Sequence, residues 1–211
     1  KILEFLESYY EINYPGSKLD LIAIPDFAMG AMENIGAVTF RESLLILDEE
    51  SATRNELSRS VTVIAHELAH MWFGDLVTME WWDGIWLNEA FASLMEVISS
   101  DATYPEFKLW EDMNLSRTAG FSVDSLTSSR PVEFEVESPE QAEEMFDALT
   151  YEKGSTVLRM FETFVGEETF REGVRAYLNK FKYQNTNSPD LWKCLTEASG
   201  RPLDKMLPSW I

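Results

Sequence analysis

The sequence of 211 residues is poor in cysteine and histidine, with one Cys and two His. Cys194 has no partner for an internal disulfide, and a single thiol excludes a cysteine-rich metal site. The absence of disulfides is typical of a reducing compartment, so we expect a cytoplasmic location.

Long apolar runs and positive charges are also scarce. No apolar stretch approaches the length that spans a bilayer, so we expect no membrane segment. The 17 Lys and Arg stand against 37 Asp and Glu, for a formal net charge of −20. That field repels phosphate backbones, which argues against nucleic acid as a partner. It attracts cationic ligands such as a free amino group, or alternatively only keeps the protein dissolved.

The first residues, Lys1-Ile2-Leu3-Glu4, are amphipathic and include neither an initiator Met nor a signal peptide. We therefore expect the chain to be an internal piece of a longer multidomain protein. With 45% hydrophobic and 13% aromatic residues, it has ample material for a core.

Near residue 50, the sequence pattern changes from one that predicts strands to one that predicts helices. We predict strands at 19–24, 37–40 and 44–47, a loop at 120–138, and helices at 1–12, 53–73, 86–100, 105–118, 139–147, 149–165, 167–181 and from Ser188 onward. A small sheet followed by helices indicates an α+β fold. We expect one domain over 1–211, with a β lobe over 1–50 and a helical lobe over 51–211.

Both histidines fall in one block, His66-Glu67-Leu68-Ala69-His70. Positions four apart lie on the same face of a helix, so the two imidazoles can bind one ion. This spacing is the zinc motif in which the intervening Glu67 acts as general base. The alternative is two polar residues on a helix flank.

A catalytic zinc usually takes three protein ligands and leaves a fourth position for water. No further histidine exists, so the third ligand must be a carboxylate. Glu89 opens the next predicted helix among the apolar Leu87, Ala90 and Phe91, where an unpaired charge would be costly. A solvated helix face is the alternative. We predict one Zn²⁺ per chain, bound by His66, His70 and Glu89.

Three motifs together resemble known metallopeptidases. Residues 66–70, eighteen intervening residues and then Glu89 are similar to the signature of the gluzincins. Residues 30–34, Gly-Ala-Met-Glu-Asn, resemble the exopeptidase motif of the aminopeptidase N family, and residues 151–154, Tyr-Glu-Lys-Gly, resemble its catalytic tyrosine segment. The resemblance covers essentially the whole chain. It implies a thermolysin-like catalytic domain, flanked in the full-length protein by a β domain and a helical domain.

The resemblance also implies an activity, the removal of the amino-terminal residue from peptides. Glu67 would accept a proton from the attacking water and return it to the departing amine. Tyr151 would donate a hydrogen bond to the oxyanion. An ordinary core tyrosine is the alternative for Tyr151.

Peptides with a free amino terminus are the implied substrates. Glu33 would pair with the α-ammonium of the substrate, whereas an exposed carboxylate at a strand end is the alternative. Backbone groups of Gly30 and Ala31 would line the substrate as an added strand. Met29 would line the pocket for the first side chain, and core packing explains it equally well.

Two other functions remain open at this point. A relative that hydrolyses a lipid epoxide belongs to the same family, but such proteins tend to have Gly-Gly-Met-Glu-Asn where this chain has Gly-Ala-Met-Glu-Asn. A zinc-stabilised binding module without catalysis has no use for an intact Glu67 and Tyr151. Because family members also occur as membrane ectoenzymes, that location is the alternative to the cytoplasm.

Overall fold

The computed structural model describes residues 1–48 and 50–211. The chain begins with helix α1 (Ile2–Tyr10), which confirms the helix predicted at 1–12. Leu6 and Tyr10 on one face of α1 are fully buried against the main core, so this helix is anchored to the body of the domain.

A three-stranded sheet follows α1. Strand β3 (Ala37–Arg41) lies in the centre, with β1 (Asp20–Ile24) parallel to it and β2 (Ala31–Met32) antiparallel on the other side. Ala31 faces Phe40 and Met32 faces Thr39 in the register of the β2–β3 pair. The Gly-Ala-Met-Glu-Asn segment therefore forms an edge of this sheet.

The strand predicted at 44–47 is wrong, because the chain forms the short helix α2 (Glu42–Leu45) there. Leu44 is buried, and its carbonyl oxygen accepts a hydrogen bond from Ser60 Oγ at 2.6 Å. A run of four apolar residues has no periodicity that separates a strand from a helical turn. Packing against the next helix decides the conformation.

The remainder of the domain is mostly helical. Its helices and strands are α3 (Arg54–His70), β4 (Val77–Met79), a 3-10 turn (Trp82–Gly84), α4 (Trp86–Thr103), a 3-10 turn (Pro105–Phe107), α5 (Leu109–Asp124), α6 (Pro139–Glu144), a π-helical turn (Leu149–Lys153), α7 (Gly154–Val165), α8 (Glu167–Phe181), β5 (Gln184–Thr186), α9 (Ser188–Ser199), α10 (Leu203–Met206) and a 3-10 turn (Leu207–Ser209). The α+β prediction is confirmed.

Helix α4 is the centre of the core and contacts α1, α3, α5 and α7. It runs antiparallel to α3, since Arg54 at the start of α3 donates to the Phe107 carbonyl just beyond α4 at 2.7 Å, while His70 at the end of α3 meets Glu89 at the start of α4. This pairing brings residues 19 positions apart in sequence side by side.

Several boundaries differ from the predictions. Helix α3 ends at His70 rather than near 73, and the chain turns at Gly74, whose positive φ of 137° favours glycine. Helix α5 continues to Asp124, into the segment predicted as a loop. Strands β4 and β5 pair in parallel within residues 51–211, where no strand was predicted.

Two of the four tryptophans near the metal motif lie outside the core. Trp72 and Trp86 are fully buried, whereas Trp81 and Trp82 are exposed. Within the described residues, no helix combines the length and the apolar composition that crossing a bilayer requires.

Candidate metal centre

Helix α3 carries both histidines on one face. A capping box starts the helix, in which Thr53 accepts from the Glu56 backbone and the Glu56 side chain accepts from the Thr53 backbone. The last turns of α3 are buried, and the centroids of the His66 and His70 rings lie 4.7 Å apart. The fixed start and the buried end set the position of the two imidazoles.

Glu89 on α4 completes the cluster. Its Oε2 lies 3.2 Å from His66 Nε2 and 3.3 Å from His70 Nε2. Ligands at the usual 2.0–2.2 Å from a tetrahedral zinc are separated by about 3.4 Å. These three residues form the only group in the described part of the chain that could hold a metal ion. Two imidazole nitrogens and one carboxylate oxygen suit zinc.

Each imidazole is oriented by a hydrogen bond on its other nitrogen. His70 Nδ1 donates to the carbonyl oxygen of Phe73 at 2.9 Å, and His66 Nδ1 is 2.8 Å from Oε2 of Glu96. A carbonyl can only accept, so Nδ1 of His70 carries a proton and Nε2 is the nitrogen that faces the candidate metal position. The Glu96 carboxylate fixes His66 in the same way.

Glu96 was not predicted from the sequence. It follows Glu89 by seven residues on α4, which places both carboxylates on the same face of the helix. That spacing was a signal for a residue that supports the candidate metal ligands.

The three residues of the cluster shift one another's pKa values toward their charged forms. Burial lowers the pKa of His66 and His70, but the Glu89 carboxylate outweighs burial and raises the pKa of His70 to about 9. For His66, Glu89 and Glu96 together hold the pKa well above its ordinary value. Burial raises the pKa of Glu89, yet the two imidazoles hold it well below its usual range. A divalent cation bound there would compete with protons for the Nε2 atoms of the two imidazoles.

Glu67 lies beside the cluster with a free carboxylate oxygen. Its side chain is buried, and Oε2 has no hydrogen-bond partner among the described residues. Burial raises the pKa of Glu67 to about 7, against the opposing charges of His66 and His70. A carboxylate with a pKa near neutrality can both accept and return a proton at pH 7.

Tyr151 lies on the π-helical turn, beside the cluster formed by the side chains of His66, His70 and Glu89. Its ring is stacked on that of His66, with centroids 6.0 Å apart and planes inclined by 20°. Burial and the neighbouring Glu89 carboxylate raise the pKa of the phenol above its ordinary value. Tyr151 therefore stays protonated as a hydrogen-bond donor.

Glu33 follows strand β2 and faces the same cluster. Its negative charge contributes to raising the pKa of Glu67, His70 and Tyr151. Strand β2 is an edge strand, paired only with β3 among the described strands. An extended peptide could therefore pair with its free backbone groups beside Glu33.

The residues before Glu33 are held by the sheet but remain accessible. The Gly30 carbonyl oxygen accepts from the Arg41 backbone at 2.8 Å, and Ala31 pairs with Phe40. Met29 is 59% exposed, so core packing does not account for it. All three residues predicted to line a substrate thus lie on an open edge.

A second carboxyl group near Glu33 was also missed. Asp75 follows the Gly74 turn, and its Oδ2 is buried without a partner among the described residues. Burial, followed by the Glu33 charge, raises the pKa of Asp75 to about 7. A lone Asp in a turn gave no signal in the sequence.

Open space lies beside Tyr151. A cavity of about 480 Å³ lies between α3, α4 and α5, with Thr62, Ser93, Glu96 and Tyr151 in its wall. Glu96 and Tyr151 therefore connect the candidate metal site to this cavity.

Comparisons with known proteins agree with this arrangement. A model described as "Peptidase family M1 domain" matches residues 1–210. The chain is 45% identical over 210 residues to "Aminopeptidase M1-A" of Oryza sativa subsp. japonica, covering 100% of this chain and 24% of that protein. It is 44% identical over 211 residues to the "Puromycin-sensitive aminopeptidase" of Caenorhabditis elegans, covering 100% and 22%. It is 51% identical over 201 residues to "Endoplasmic reticulum aminopeptidase 2" of Homo sapiens, covering 94% and 21%. The chain thus spans between a fifth and a quarter of the length of these curated relatives.

Proposed function

Because this chain belongs to peptidase family M1, we propose that it is the catalytic domain of a zinc-dependent aminopeptidase. Its α+β fold fits a thermolysin-like catalytic domain. The three relatives described above are all named aminopeptidases, which supports a peptide with a free amino terminus as the substrate.

His66, His70 and Glu89 would hold the zinc ion. Their donor atoms and their mutual distances suit a tetrahedral site with one position left for a non-protein ligand. Zinc bound there supplies Lewis acidity and lowers the pKa of a coordinated water to about 7. Glu96 and the Phe73 carbonyl oxygen keep the imidazoles in the tautomer that binding requires.

Glu67 would act as the general base and then as the general acid. Its free Oε2 accepts a proton from water as the water attacks the scissile carbonyl. The same carboxyl group returns that proton to the departing amine. Its pKa of about 7 suits both transfers, because neither form is strongly favoured at neutral pH.

Tyr151 would stabilise the oxyanion. The raised pKa keeps its phenol protonated, and its ring stacks on that of His66, one of the candidate zinc ligands. A donor that interacts with charge developing in the transition state contributes to kcat rather than to substrate affinity.

Glu33 would restrict cleavage to the first peptide bond. A carboxylate beside the His-His-Glu cluster would attract the α-ammonium of a peptide whose backbone pairs with β2. The observation that carries the proposal is the presence of Glu33, Glu67 and Tyr151 around one His-His-Glu cluster. A general base alone would give a peptidase, and Glu33 adds the selection of a free amino end.

The proposal is tested with an aminoacyl-anilide and its amino-acetylated form, each with and without a metal chelator. We expect the zinc-loaded protein to hydrolyse only the free amine, and the chelator to abolish hydrolysis. Cleavage of the acetylated substrate would rule out an exopeptidase. Zinc binding without any hydrolysis would instead favour a binding module. Hydrolysis of a lipid epoxide alone would favour the epoxide-hydrolysing type of relative in this family.

A further inference from the structure

Tyr151 lies on an unusual piece of backbone. Residues Leu149–Lys153 form a π-helical turn, which is rare and often occurs at functional sites. The turn joins the loop after α6 to α7, and the hydroxyl of Tyr151 must be held relative to ligands on α3 and α4. Something outside the turn has to fix its first residues.

Arg130, in the loop after α5, reaches this turn from 17 residues before Asp147. Its Nη2 donates to Oδ1 of Asp147 at 2.7 Å and to the hydroxyl of Thr150 at 3.1 Å. Its Nη1 donates to the carbonyl oxygens of Pro131 and Val132 at 2.8 and 3.1 Å. The guanidinium therefore links its own loop to the residue just before Tyr151.

Asp147 connects Arg130 to the backbone of the turn. Its Oδ1 accepts from the amides of Leu149 at 2.9 Å and Thr150 at 3.1 Å, and its carbonyl oxygen accepts from the amide of Tyr151 at 3.1 Å. One carboxylate oxygen thus caps the first amides of the turn while it is held by Arg130. Thr150 is fully buried, so this end of the turn has little freedom.

We propose that the Arg130–Asp147 pair is a positioning device for the Tyr151 hydroxyl. This inference rests on the proposed role of Tyr151 in the aminopeptidase reaction. Arg130 contacts neither substrate nor metal, and it acts by fixing the turn from which the phenol projects. A second ion pair, Lys153 to Asp124 at 2.9 Å, anchors the far end of the turn. Loss of Arg130 should therefore loosen the turn without unfolding the domain.

The test compares Arg130→Met with the matched control Arg175→Met. Arg175 is similarly buried and also combines ion pairs with bonds to backbone carbonyls, but it joins α8 to α1 and makes no such bond to the turn of Tyr151 among the described residues. Each substitution is made alone and together with Tyr151→Phe. Values of kcat and KM for an aminoacyl-anilide and hydrogen exchange of residues 149–153 are measured for each zinc-loaded protein.

We expect Arg130→Met to lower kcat by about 10- to 100-fold with little change in KM, because a misplacement of about 1 Å has effects of that size. In the Tyr151→Phe background the same substitution should lower kcat less than about threefold, since residues acting through one group are not additive. Exchange of residues 149–153 should increase in Arg130→Met and remain unchanged in Arg175→Met.

Equal effects of Arg130→Met in both backgrounds would overturn the proposal, because the loss would then not pass through Tyr151. Unchanged exchange at 149–153 would also overturn it. If the parent protein hydrolyses no aminoacyl substrate, the proposed function fails. Hydrogen exchange would still decide whether Arg130 orders the turn.

Discussion

Glu96 provides the sharpest test of the metal centre. Substitution with Gln keeps the size of the side chain and an oxygen that can accept from His66 Nδ1, but it removes the charge from a contact of 2.8 Å. Hydrogen bonds to charged groups contribute about 1.5–3 kcal/mol and neutral ones about 0.5–1.5 kcal/mol. The difference of roughly 1–1.5 kcal/mol corresponds to zinc binding weakened by about 5- to 13-fold. Substitution with Ala removes the acceptor, and we expect a loss of about 100-fold.

The expected loss depends on pH. Glu96 also contributes to raising the pKa of His66, so its removal makes that imidazole easier to deprotonate. A zinc ion competes with this proton, and the easier proton loss offsets part of the weakened binding at low pH. The loss of affinity should therefore be smaller at pH 6 than at pH 9.

The assay is competition for zinc against a chromogenic chelator at both pH values. Glu111→Gln on α5 is the matched control, because it removes an exposed carboxylate whose ion-pair partner among the described residues is Lys108. A dissociation constant within twofold of the parent for both Glu96 variants would refute the reasoning. So would an equal loss in Glu111→Gln, which would indicate an effect of net charge alone.

Three further outcomes are expected. Tyr151→Phe should retain zinc and lower kcat by about 10²- to 10³-fold, whereas near-normal turnover would remove Tyr151 from the mechanism. Glu33→Gln should lower kcat/KM for aminoacyl-anilides by about 10- to 100-fold, because a charged partner of the ammonium is lost; an unchanged value would exclude the ammonium contact. Gly154→Ala should destabilise the protein by about 1–3 kcal/mol in urea unfolding, since a Cβ there would lie 2.7 Å from Cβ of Ala90; equal stability would contradict this close packing.

The sequence was sufficient for helices whose starts have local signals, among them α3 with two of the candidate metal ligands. Thr53 and Glu56 have the spacing of a capping box, and Pro189 follows Ser188 at the start of α9. These are local signals, because the partners lie within one turn of each other. The position of Glu89 was also accessible, since its apolar neighbours indicated a buried carboxylate that needs a partner.

Elements that depend on distant partners could not be predicted in this way. Strand β4 pairs with β5, more than 100 residues later, and the pair consists of only three residues on each side. The apolar residues at 44–47 satisfy both a strand and a helical turn, and the contact of Leu44 with Ser60 decides between them. In both cases, tertiary packing determines the local conformation.

The residues that support the candidate site show the same difference between local signals and distant partners. Glu96 shares a helix face with Glu89, so its spacing was a signal in the sequence although it was not predicted. Arg130 lies in a loop with no periodicity, 17 residues before Asp147, and only the folded chain brings them together. A π-helical turn also has no sequence pattern of its own, because its residues satisfy an ordinary helix equally well. The donor expected to stabilise the oxyanion was therefore visible in the sequence, whereas the contacts that orient it emerged only from the fold.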